Sequence, residues 1–188
     1  MRVISGKAKG RRLKAPENGA VRPTSDKFKE AVFNILWHNL DGLKVLDLFA
    51  GSGGLGIEAL SRGAEKAVFV DKNRKCLDSV SENLRVCDLG EYAEVFCMDY
   101  RRALKYLSGH GYLFDLVFLD PPYHEIDWNE LLSCSEWREL LENESILVVE
   151  HDSSIHIEPS SGFEKVDERR YGDSSLTILE WKKGSEGE

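Results

Sequence analysis

The chain has 188 residues, 41% of them hydrophobic, and a formal net charge of −8 at pH 7. This length suits one domain, and no apolar run approaches the roughly 20 residues that a membrane-spanning helix needs. The cysteines lie apart, without the spacing of a zinc site or a disulfide framework: Cys76, Cys87, Cys97 and Cys134. We therefore expect a single cytoplasmic, monomeric domain over residues 1–188, with reduced thiols, no metal and no membrane partner.

The net charge hides an uneven distribution along the chain. Residues 1–30 hold nine Lys or Arg against three acids, a net charge of +6, which leaves −14 on the remaining residues. A basic segment on an acidic body is typical of a local contact with a polyanion, and a solvated pair of basic strands is the alternative interpretation. The candidate nucleic-acid contacts are Arg2, Lys7, Lys9, Arg11, Arg12, Lys14 and Arg22.

The first predicted elements are a small hairpin and a helix. Residues 1–21 place short apolar positions between glycines, a pattern that predicts a basic hairpin or extended arm. A break at Arg22-Pro23-Thr24-Ser25-Asp26 follows. The next stretch predicts a helix up to about Leu40, because apolar residues recur there with a 3.6-residue period: Phe28, Ala31, Val32, Ile35 and Leu36.

Beyond residue 43, apolar strands alternate with helices, which indicates a parallel sheet covered on both faces. The predicted strands are Val45 to Phe49, Ala67 to Val70, Ala93 to Cys97, Leu116 to Leu119 and Ile146 to Val149. The predicted helices are Leu55 to Ser61, Arg74 to Val86, Arg101 to Leu107 and Trp128 to Leu141.

The pattern changes after Glu150, where the helices stop. Two extended stretches, Phe163 to Arg170 and Leu176 to Trp181, flank the turn-like Tyr171-Gly172-Asp173-Ser174. This arrangement predicts an antiparallel hairpin at the edge of an α/β, Rossmann-like sheet. The catalytic core should then span residues 22–181, followed by a frayed tail over 182–188.

The most informative motif is a glycine-rich turn between a strand and a helix. Gly51, Gly53 and Gly56 satisfy G-x-G-x-x-G, and Asp71 ends the next strand, where an acid that binds ribose hydroxyls belongs. Glycines let the backbone approach a ligand closely. These features alone fit S-adenosylmethionine, a dinucleotide, or a glycine turn that binds no ligand.

Asp47 favours S-adenosylmethionine over a dinucleotide. It lies on the strand just before the turn, where a carboxylate can receive the ammonium group of an amino-acid-bearing cofactor but would repel a pyrophosphate. Asp99, at the end of the third strand, is a candidate acceptor for the adenine amino group, with Met98 against the ring. A lone Asp at a strand end also serves often as a helix cap.

The fourth strand runs into the tetrapeptide Asp120-Pro121-Pro122-Tyr123. Ligands of open α/β sheets bind beyond the carboxyl ends of the strands, so this loop should face the same crevice as the glycine turn. An exocyclic base amine is a poor nucleophile and needs hydrogen-bond acceptors, which the Asp120 carboxylate and the Pro121 carbonyl can supply. The prolines hold the loop rigid, and Tyr123 offers a face for base stacking. A rigid strand stop is the alternative.

These motifs resemble the amino-methyltransferases with a D-P-P-Y motif, and over residues 2 to about 181 the chain is similar to the RsmD family. The similarity includes Arg2-Val3-Ile4-Ser5-Gly6, Lys9-Gly10-Arg11-Arg12-Leu13 and the Arg22 to Asp26 segment. It implies a seven-stranded sheet, an N-terminal extension that binds RNA, and methylation of guanine N2 in 16S rRNA within a small-subunit assembly intermediate that carries ribosomal proteins.

The resemblance also places Thr24 near the methionine end of the cofactor. The expected cofactor contacts are Thr24, Asp47, Phe49, Ala50, Gly51, Ser52, Gly53, Gly56, Asp71, Lys72, Met98, Asp99 and Asp120. Two features depart from the family pattern: Asp71 stands where Glu is common, and the Tyr171 to Ser174 turn matches only some members.

Three other functions stay open from the residues alone. Asp120 to Tyr123 would fit the N6 amine of adenine in DNA or RNA equally well. A cofactor-binding assembly factor without catalysis is a second alternative, although an intact tetrapeptide argues against it. A dinucleotide-dependent oxidoreductase is the most distant.

Overall fold

The computed structural model describes residues 1–15, 26–36, 40–122, 126–160 and 162–183. The helices in these ranges are α1 (Asp26–Ile35), α2 (Gly54–Ser61), α3 (Arg74–Cys87), α4 (Tyr100–Gly109), α5 (Trp128–Leu132) and α6 (Trp137–Leu140). The strands are β1 (Lys44–Asp47), β2 (Lys66–Asp71), β3 (Ala93–Cys97), β4 (Phe114–Leu119), β5 (Leu141–Asp152), β6 (Phe163–Tyr171) and β7 (Ser174–Trp181). No helix within the described ranges is long and apolar enough to cross a membrane.

The strands form one seven-stranded sheet in the order β3-β2-β1-β4-β5-β7-β6. β1 to β5 pair in parallel, whereas β7 runs antiparallel between β5 and β6. The carboxyl ends of β1 to β5 therefore meet at one edge, which we call the ligand edge. The predicted fold class is confirmed: a Rossmann-like, mostly parallel sheet that ends in an antiparallel hairpin.

Alternate residues of the central strands enter two separate cores. Val45 of β1 and Phe118 of β4 pack with α1, α2 and α3, whereas Leu46 and Val117 pack with α4, α5 and α6. All four side chains are buried. Both faces of the sheet are thus covered, which explains why the central strands are apolar at nearly every position.

Polar residues at the ligand edge start the helices that follow the strands. Asn73 caps α3 by accepting a hydrogen bond from the backbone N–H of Lys75, and Asp127 caps α5 in the same way. At the other end of α3, Asp88 adopts a left-handed conformation and terminates the helix. These caps satisfy backbone groups that helix termini leave open.

The first 15 residues fold back as a ribbon against α2, and we call this segment the N-terminal ribbon. Arg2 and Arg12 form an antiparallel bridge, and Val3 donates its backbone N–H to the carbonyl of Arg11. Gly6 has φ +83°, and a Cβ there would lie 1.7 Å from the Ser61 carbonyl oxygen. The predicted hairpin is present in the described part of the arm, while residues 16–21 lie outside it.

Two predicted helices differ from the structure. The first helix ends at Ile35, short of Leu40, whose backbone N–H instead donates to the carbonyl of Arg62. The helix predicted from Trp128 to Leu141 is two short helices, and the indole N–H of Trp137 donates to the Leu131 carbonyl near the break.

The fifth strand starts five residues before its apolar run. Its register against β4 shifts between Phe114 and Leu116. There, the Ser145 hydroxyl donates to the Phe114 carbonyl and accepts from the backbone N–H of Glu142. A polar residue thus continues the strand across the irregular pairing, which the hydrophobic pattern alone did not indicate.

Candidate active site

The glycine turn lies at the ligand edge between β1 and α2. Gly51 and Gly53 have φ of +53° and +79°, which favour glycine. The backbone N–H of Gly51 donates to Asp71 Oδ2 at 2.9 Å, and the carbonyl of Ser52 accepts from the Asn83 amide at 2.9 Å. Side chains from β2 and α3 thus hold the turn from two sides.

Gly56 has a different role from the first two glycines. A Cβ at this position would lie 2.4 Å from the Phe69 ring and 3.2 Å from Asp47 Oδ2. Its backbone N–H donates to that same Asp47 oxygen at 3.0 Å. The third glycine of the motif therefore lets α2 pack closely on β2, a role that explains its presence without any ligand contact.

Three carboxylates meet beside this turn. Asp47 is 2% exposed, and its pKa is raised to about 7, first by burial and then by the negative charges of Asp120 and Asp71. The hydrogen bond from Gly56 acts in the opposite direction. Asp120 reaches this position because Phe118, two residues earlier on β4, pairs with Asp47 on β1. The site therefore gathers acidic groups and suits a cationic ligand, which would favour the ionised form of Asp47.

Asp47→Asn is expected to stabilise the ligand-free protein at pH 8 by about 2–4 kcal/mol. Between about pH 4 and pH 7 the folded state keeps the Asp47 proton, whereas the unfolded state releases it. The free energy of unfolding therefore falls as pH rises through this range, and the full loss is present above it. Asn does not titrate, and its amide oxygen can keep the bond from Gly56. Urea unfolding of both proteins at pH 5 and pH 8 measures the difference.

Asp78→Asn is the matched control for that comparison. Asp78 pairs with Arg74 on the exposed surface of α3, and its side chain is 65% exposed, so its removal should change stability little at either pH. Wild-type protein at least as stable as Asp47→Asn at pH 8 would contradict the expected effect of burying this carboxylate.

Asp71 and Asp99 both bind backbone groups at the ligand edge. Asp71 is half-buried, and burial raises its pKa, while its oxygens accept from the backbone N–H groups of Gly51 and Asn73. Asp99 caps α4 through Oδ1, which accepts from the backbone N–H of Arg101 at 2.9 Å. A carboxylate has about four acceptor sites, so both side chains can accept further hydrogen bonds from a ligand. Their contacts with ribose and adenine stay predictions.

The other predicted cofactor residues surround the same edge. Phe49 is half-buried, and its ring centroid lies 5.5 Å from that of Tyr100. Met98 is half-buried and donates its backbone N–H to the Asp71 carbonyl, whereas Lys72 is exposed. Ala50 and Ser52 are buried. In the described residues, no group of three His, Cys, Asp or Glu side chains is placed to hold a metal ion.

The predicted catalytic tetrapeptide begins at Asp120, directly after β4, at the same edge. Asp120 is half-buried, Pro121 is buried and Pro122 is exposed. Both prolines line a shallow hollow between the ends of β4 and β5, whose other walls are Ile126, Trp128, His151, Asp152 and Ile155. Tyr123, like Thr24 and Arg22, lies outside the described residues.

The β6–β7 turn also lies at the ligand edge, because Ser174 pairs with Asp152 at the end of β5. The ring of Tyr171 packs edge-on against Phe28 at the start of α1, with centroids 6.1 Å apart. Behind the turn, buried His151 bonds through Nε2 to the Thr177 hydroxyl at 2.9 Å. The closing hairpin thus covers the start of α1.

The N-terminal ribbon presents its basic side chains to solvent. Its apolar residues Val3, Ala8 and Leu13 are buried. All six predicted nucleic-acid contacts within the ribbon are exposed: Arg2, Lys7, Lys9, Arg11, Arg12 and Lys14. Lys29 does not share this surface. It is fully buried, 3.5 Å from Glu58, and donates to the Arg2 carbonyl, so the basic surface is smaller than the charge count over residues 1–30 predicted.

Comparisons with known proteins identify the family. The family model described as Conserved hypothetical protein 95 matches residues 1–180. Ribosomal RNA small subunit methyltransferase D of Escherichia coli is 33% identical over 152 residues, which cover 81% of this chain and 75% of that protein. The chain belongs to the RsmD family.

Two further similarities agree with RsmD membership. YlbH of Bacillus subtilis, provisionally named an rRNA methyltransferase, is 45% identical over 162 residues, 86% of this chain and 88% of that protein. The solved structure of yhhF from Escherichia coli, provisionally named a methyltransferase, superposes with a TM-score of 0.82 at 27% identity. That match covers 97% of this chain and 98% of the other.

Two buried polar residues of this RsmD-family chain went unnoticed in the sequence, although one binds the N-terminal ribbon and the other binds the glycine turn. Glu58 is fully buried in α2 and accepts hydrogen bonds from the backbone of Ile4 and Ser5 in the ribbon. Asn83 is fully buried in α3 and contacts the glycine turn. Each interrupts an otherwise apolar buried stripe, which is the signal that could have identified it.

Proposed function

We propose that this chain transfers a methyl group from S-adenosylmethionine to the exocyclic N2 amine of a guanine in small-subunit rRNA. The observation that carries the methyltransferase part of the proposal is the position of Asp47, Asp71 and Asp120 beside the glycine turn, where Gly51 donates to Asp71 and Gly56 donates to Asp47. Carboxylates at Asp47 and Asp120 would repel a pyrophosphate, whereas a cofactor with a sulfonium and an ammonium group would be attracted. This charge distribution supports a methyltransferase over a dinucleotide-dependent oxidoreductase.

The residues present fit S-adenosylmethionine. The positive φ of Gly51 and Gly53 allows close backbone approach. Asp47 Oδ2 accepts from Gly56, and Oδ1 accepts no hydrogen bond from the described part of the chain, so Asp47 is the candidate to receive the ammonium group. Asp71 would hold the ribose hydroxyls, and Asp99 with Met98 would hold the adenine.

The tetrapeptide would orient the target amine. Bound S-adenosylmethionine supplies an electrophilic methyl group on a cationic sulfur. The Asp120 carboxylate and the Pro121 carbonyl would accept the two amine hydrogens, which holds the nitrogen lone pair out of conjugation with the ring. Asp120 would also stabilise the positive charge that develops on nitrogen during transfer, and Tyr123 would stack on the base.

Two observations support rRNA as the substrate: the names of the relatives and the exposed basic side chains of the N-terminal ribbon. The E. coli and B. subtilis relatives are named as rRNA methyltransferases. The exposed basic ribbon could bind RNA phosphates, whereas the acidic remainder of the chain disfavours tight binding to free RNA. We therefore propose that a monomer acts in the cytoplasm on an assembly intermediate that carries ribosomal proteins.

Methyl transfer from labelled S-adenosylmethionine to small ribosomal subunits that lack the endogenous modification tests the proposal. Digestion and nucleoside analysis should find the label in N2-methylguanosine at one site. Label in N6-methyladenosine would favour the adenine alternative. Binding of S-adenosylmethionine with no label transferred to the RNA would favour an assembly factor without catalysis.

Reversing two ribbon charges, Arg11→Glu with Arg12→Glu, should weaken association with small subunits and reduce the salt dependence. The slope of log K against log salt should fall by about 1.5–2 if both side chains contact phosphates. The matched control is Lys44→Glu with Lys183→Glu, since both lysines are exposed and lie outside the ribbon, at the edge of the sheet opposite the ligand edge. An equal loss of affinity in both double variants would show that Arg11 and Arg12 make no specific contact with RNA.

A further inference from the structure

Asn83 connects the N-terminal ribbon to the glycine turn. Its Oδ1 accepts the backbone N–H of Lys14 at 2.8 Å, and its Nδ2 donates to the Lys14 carbonyl at 3.0 Å. The same Nδ2 donates to the Ser52 carbonyl at 2.9 Å. One side chain therefore binds both backbone groups of a ribbon residue, as a neighbouring β-strand would, and also binds the turn.

These three bonds leave the carboxamide a single orientation. Its oxygen faces a donor, and both N–H groups face carbonyls, so a flipped amide would place like groups against each other. Asn83 has no solvent exposure, and water cannot replace a lost partner without a change in packing. The positions of Lys14 and Ser52 are thus set by one rigid group on α3.

The turn depends on such side-chain contacts for its shape. Gly51 and Gly53 flank Ser52, and glycine populates many backbone conformations. Asp71 holds Gly51 on one side, and Asn83 holds Ser52 on the other. If the ribbon left its site, Asn83 would lose two of its three bonds, and the Ser52 carbonyl would lose a fixed partner.

We propose that Asn83 is a positioning residue that links ribbon docking to the shape of the cofactor turn. A ligand that orders the turn keeps the amide oriented toward Lys14, and a docked ribbon keeps it oriented toward Ser52. Because linkage is reciprocal, cofactor binding and ribbon docking strengthen one another. The inference rests on the proposed function, since the turn must bind the cofactor.

Two substitutions at one position separate the backbone contact from the side-chain charge. Lys14→Pro removes the N–H that Asn83 accepts. Lys14→Ala keeps that N–H and removes the side chain beyond Cβ, which is exposed and pairs with Glu82. Calorimetric titration with S-adenosylhomocysteine should show about tenfold weaker binding for Lys14→Pro. Lys14→Ala should bind within about twofold of wild type, since exposed ion pairs contribute little.

A change from the other side of the contact gives an independent test. Asn83→Asp places an oxygen against the carbonyls of Lys14 and Ser52, so it should also weaken the binding. Hydrogen exchange supplies a readout that a purely structural role would not move: saturating S-adenosylhomocysteine should slow exchange of the Lys14 amide in wild type but not in Asn83→Asp.

The outcomes distinguish this inference from the proposed function. Wild-type protein that fails to bind S-adenosylhomocysteine would contradict the proposed function. Wild-type binding with equal affinities for Lys14→Pro and Lys14→Ala, or with unchanged exchange at Lys14, would overturn the role of Asn83. Should Asn83→Asp fail to unfold cooperatively, the Lys14 pair and the wild-type exchange experiment still decide the question.

Discussion

Asp120→Asn is expected to slow methyl transfer by about 10²–10³-fold, the loss typical of removing one group that stabilises transition-state charge. The proposed role gives Asp120 its largest effect when positive charge develops on the amine nitrogen. Asparagine keeps an acceptor oxygen of similar position but has no negative charge. Single-turnover transfer to small subunits, with cofactor and protein in excess, measures the chemical step without product release.

The affinity of Asp120→Asn for S-adenosylhomocysteine should change by less than about threefold, which is under 1 kcal/mol. Loss of the charge on Asp120 also removes one cause of the raised pKa of Asp47, so Asp47 ionises more readily near neutral pH. That change would help, rather than hinder, binding of the cofactor ammonium.

Asp71→Asn is the matched comparison, since it removes the same charge from the same pocket. An amide cannot accept at both positions from the backbone N–H groups of Gly51 and Asn73. Its first effect should therefore be weaker binding of S-adenosylhomocysteine. If both variants lost affinity and rate in equal proportion, the separate roles assigned to Asp120 and Asp71 would be wrong.

Glu58→Ala should lower the free energy of unfolding by about 3–5 kcal/mol, which corresponds to a fall of about 10 °C in Tm. Glu58 is fully buried and bonds to Arg62 at 2.9 Å and to the backbone N–H groups of Ile4 and Ser5. The substitution leaves the ammonium of Lys29 buried 3.5 Å from the position of its former partner. Thermal and urea unfolding would measure the loss.

Two further variants test the cause of that loss. Glu65→Ala removes an exposed carboxylate near the same helix and should change stability by less than about 0.5 kcal/mol. The pair Glu58→Gln with Lys29→Met removes the two fully buried charges, keeps an acceptor oxygen for Arg62, and should lose less than Glu58→Ala. A Glu58→Ala protein within about 1 kcal/mol of wild type would mean that the buried charges contribute little to docking of the ribbon.

The sequence predicted the sheet well because its signals are local. Apolar runs identified all five parallel strands, and the central residues of β1, β2, β4 and β5 are buried on both faces, whereas β3 at the sheet edge is half-buried. The glycine spacing located the turn, and Asp47 stood out because it lies on the strand just before that turn. Conversely, Trp128 to Leu141 kept a helical apolar period across a break, since periodicity does not detect two short helices with similar faces.

The internal support of the site could not be predicted in the same way. Asn83 and Lys14 are 69 positions apart, and Glu58 and Ile4 are 54 apart. Such contacts depend on how the ribbon crosses α2 and α3, which no local pattern specifies. The basic count over residues 1–30 was misleading for the same reason, because it could not separate exposed Arg11 from buried Lys29.

The docking of the ribbon on side chains of α2 gives the molecule an internal reporter. The amides of Ile4 and Ser5 donate to Glu58, and that of Ala8 donates to the Ser61 hydroxyl. These amides become open to solvent deuterium only when the segment detaches, even if the sheet stays folded. Their exchange rates therefore measure the fraction of molecules with a detached ribbon, at equilibrium and without a dye attached to the protein.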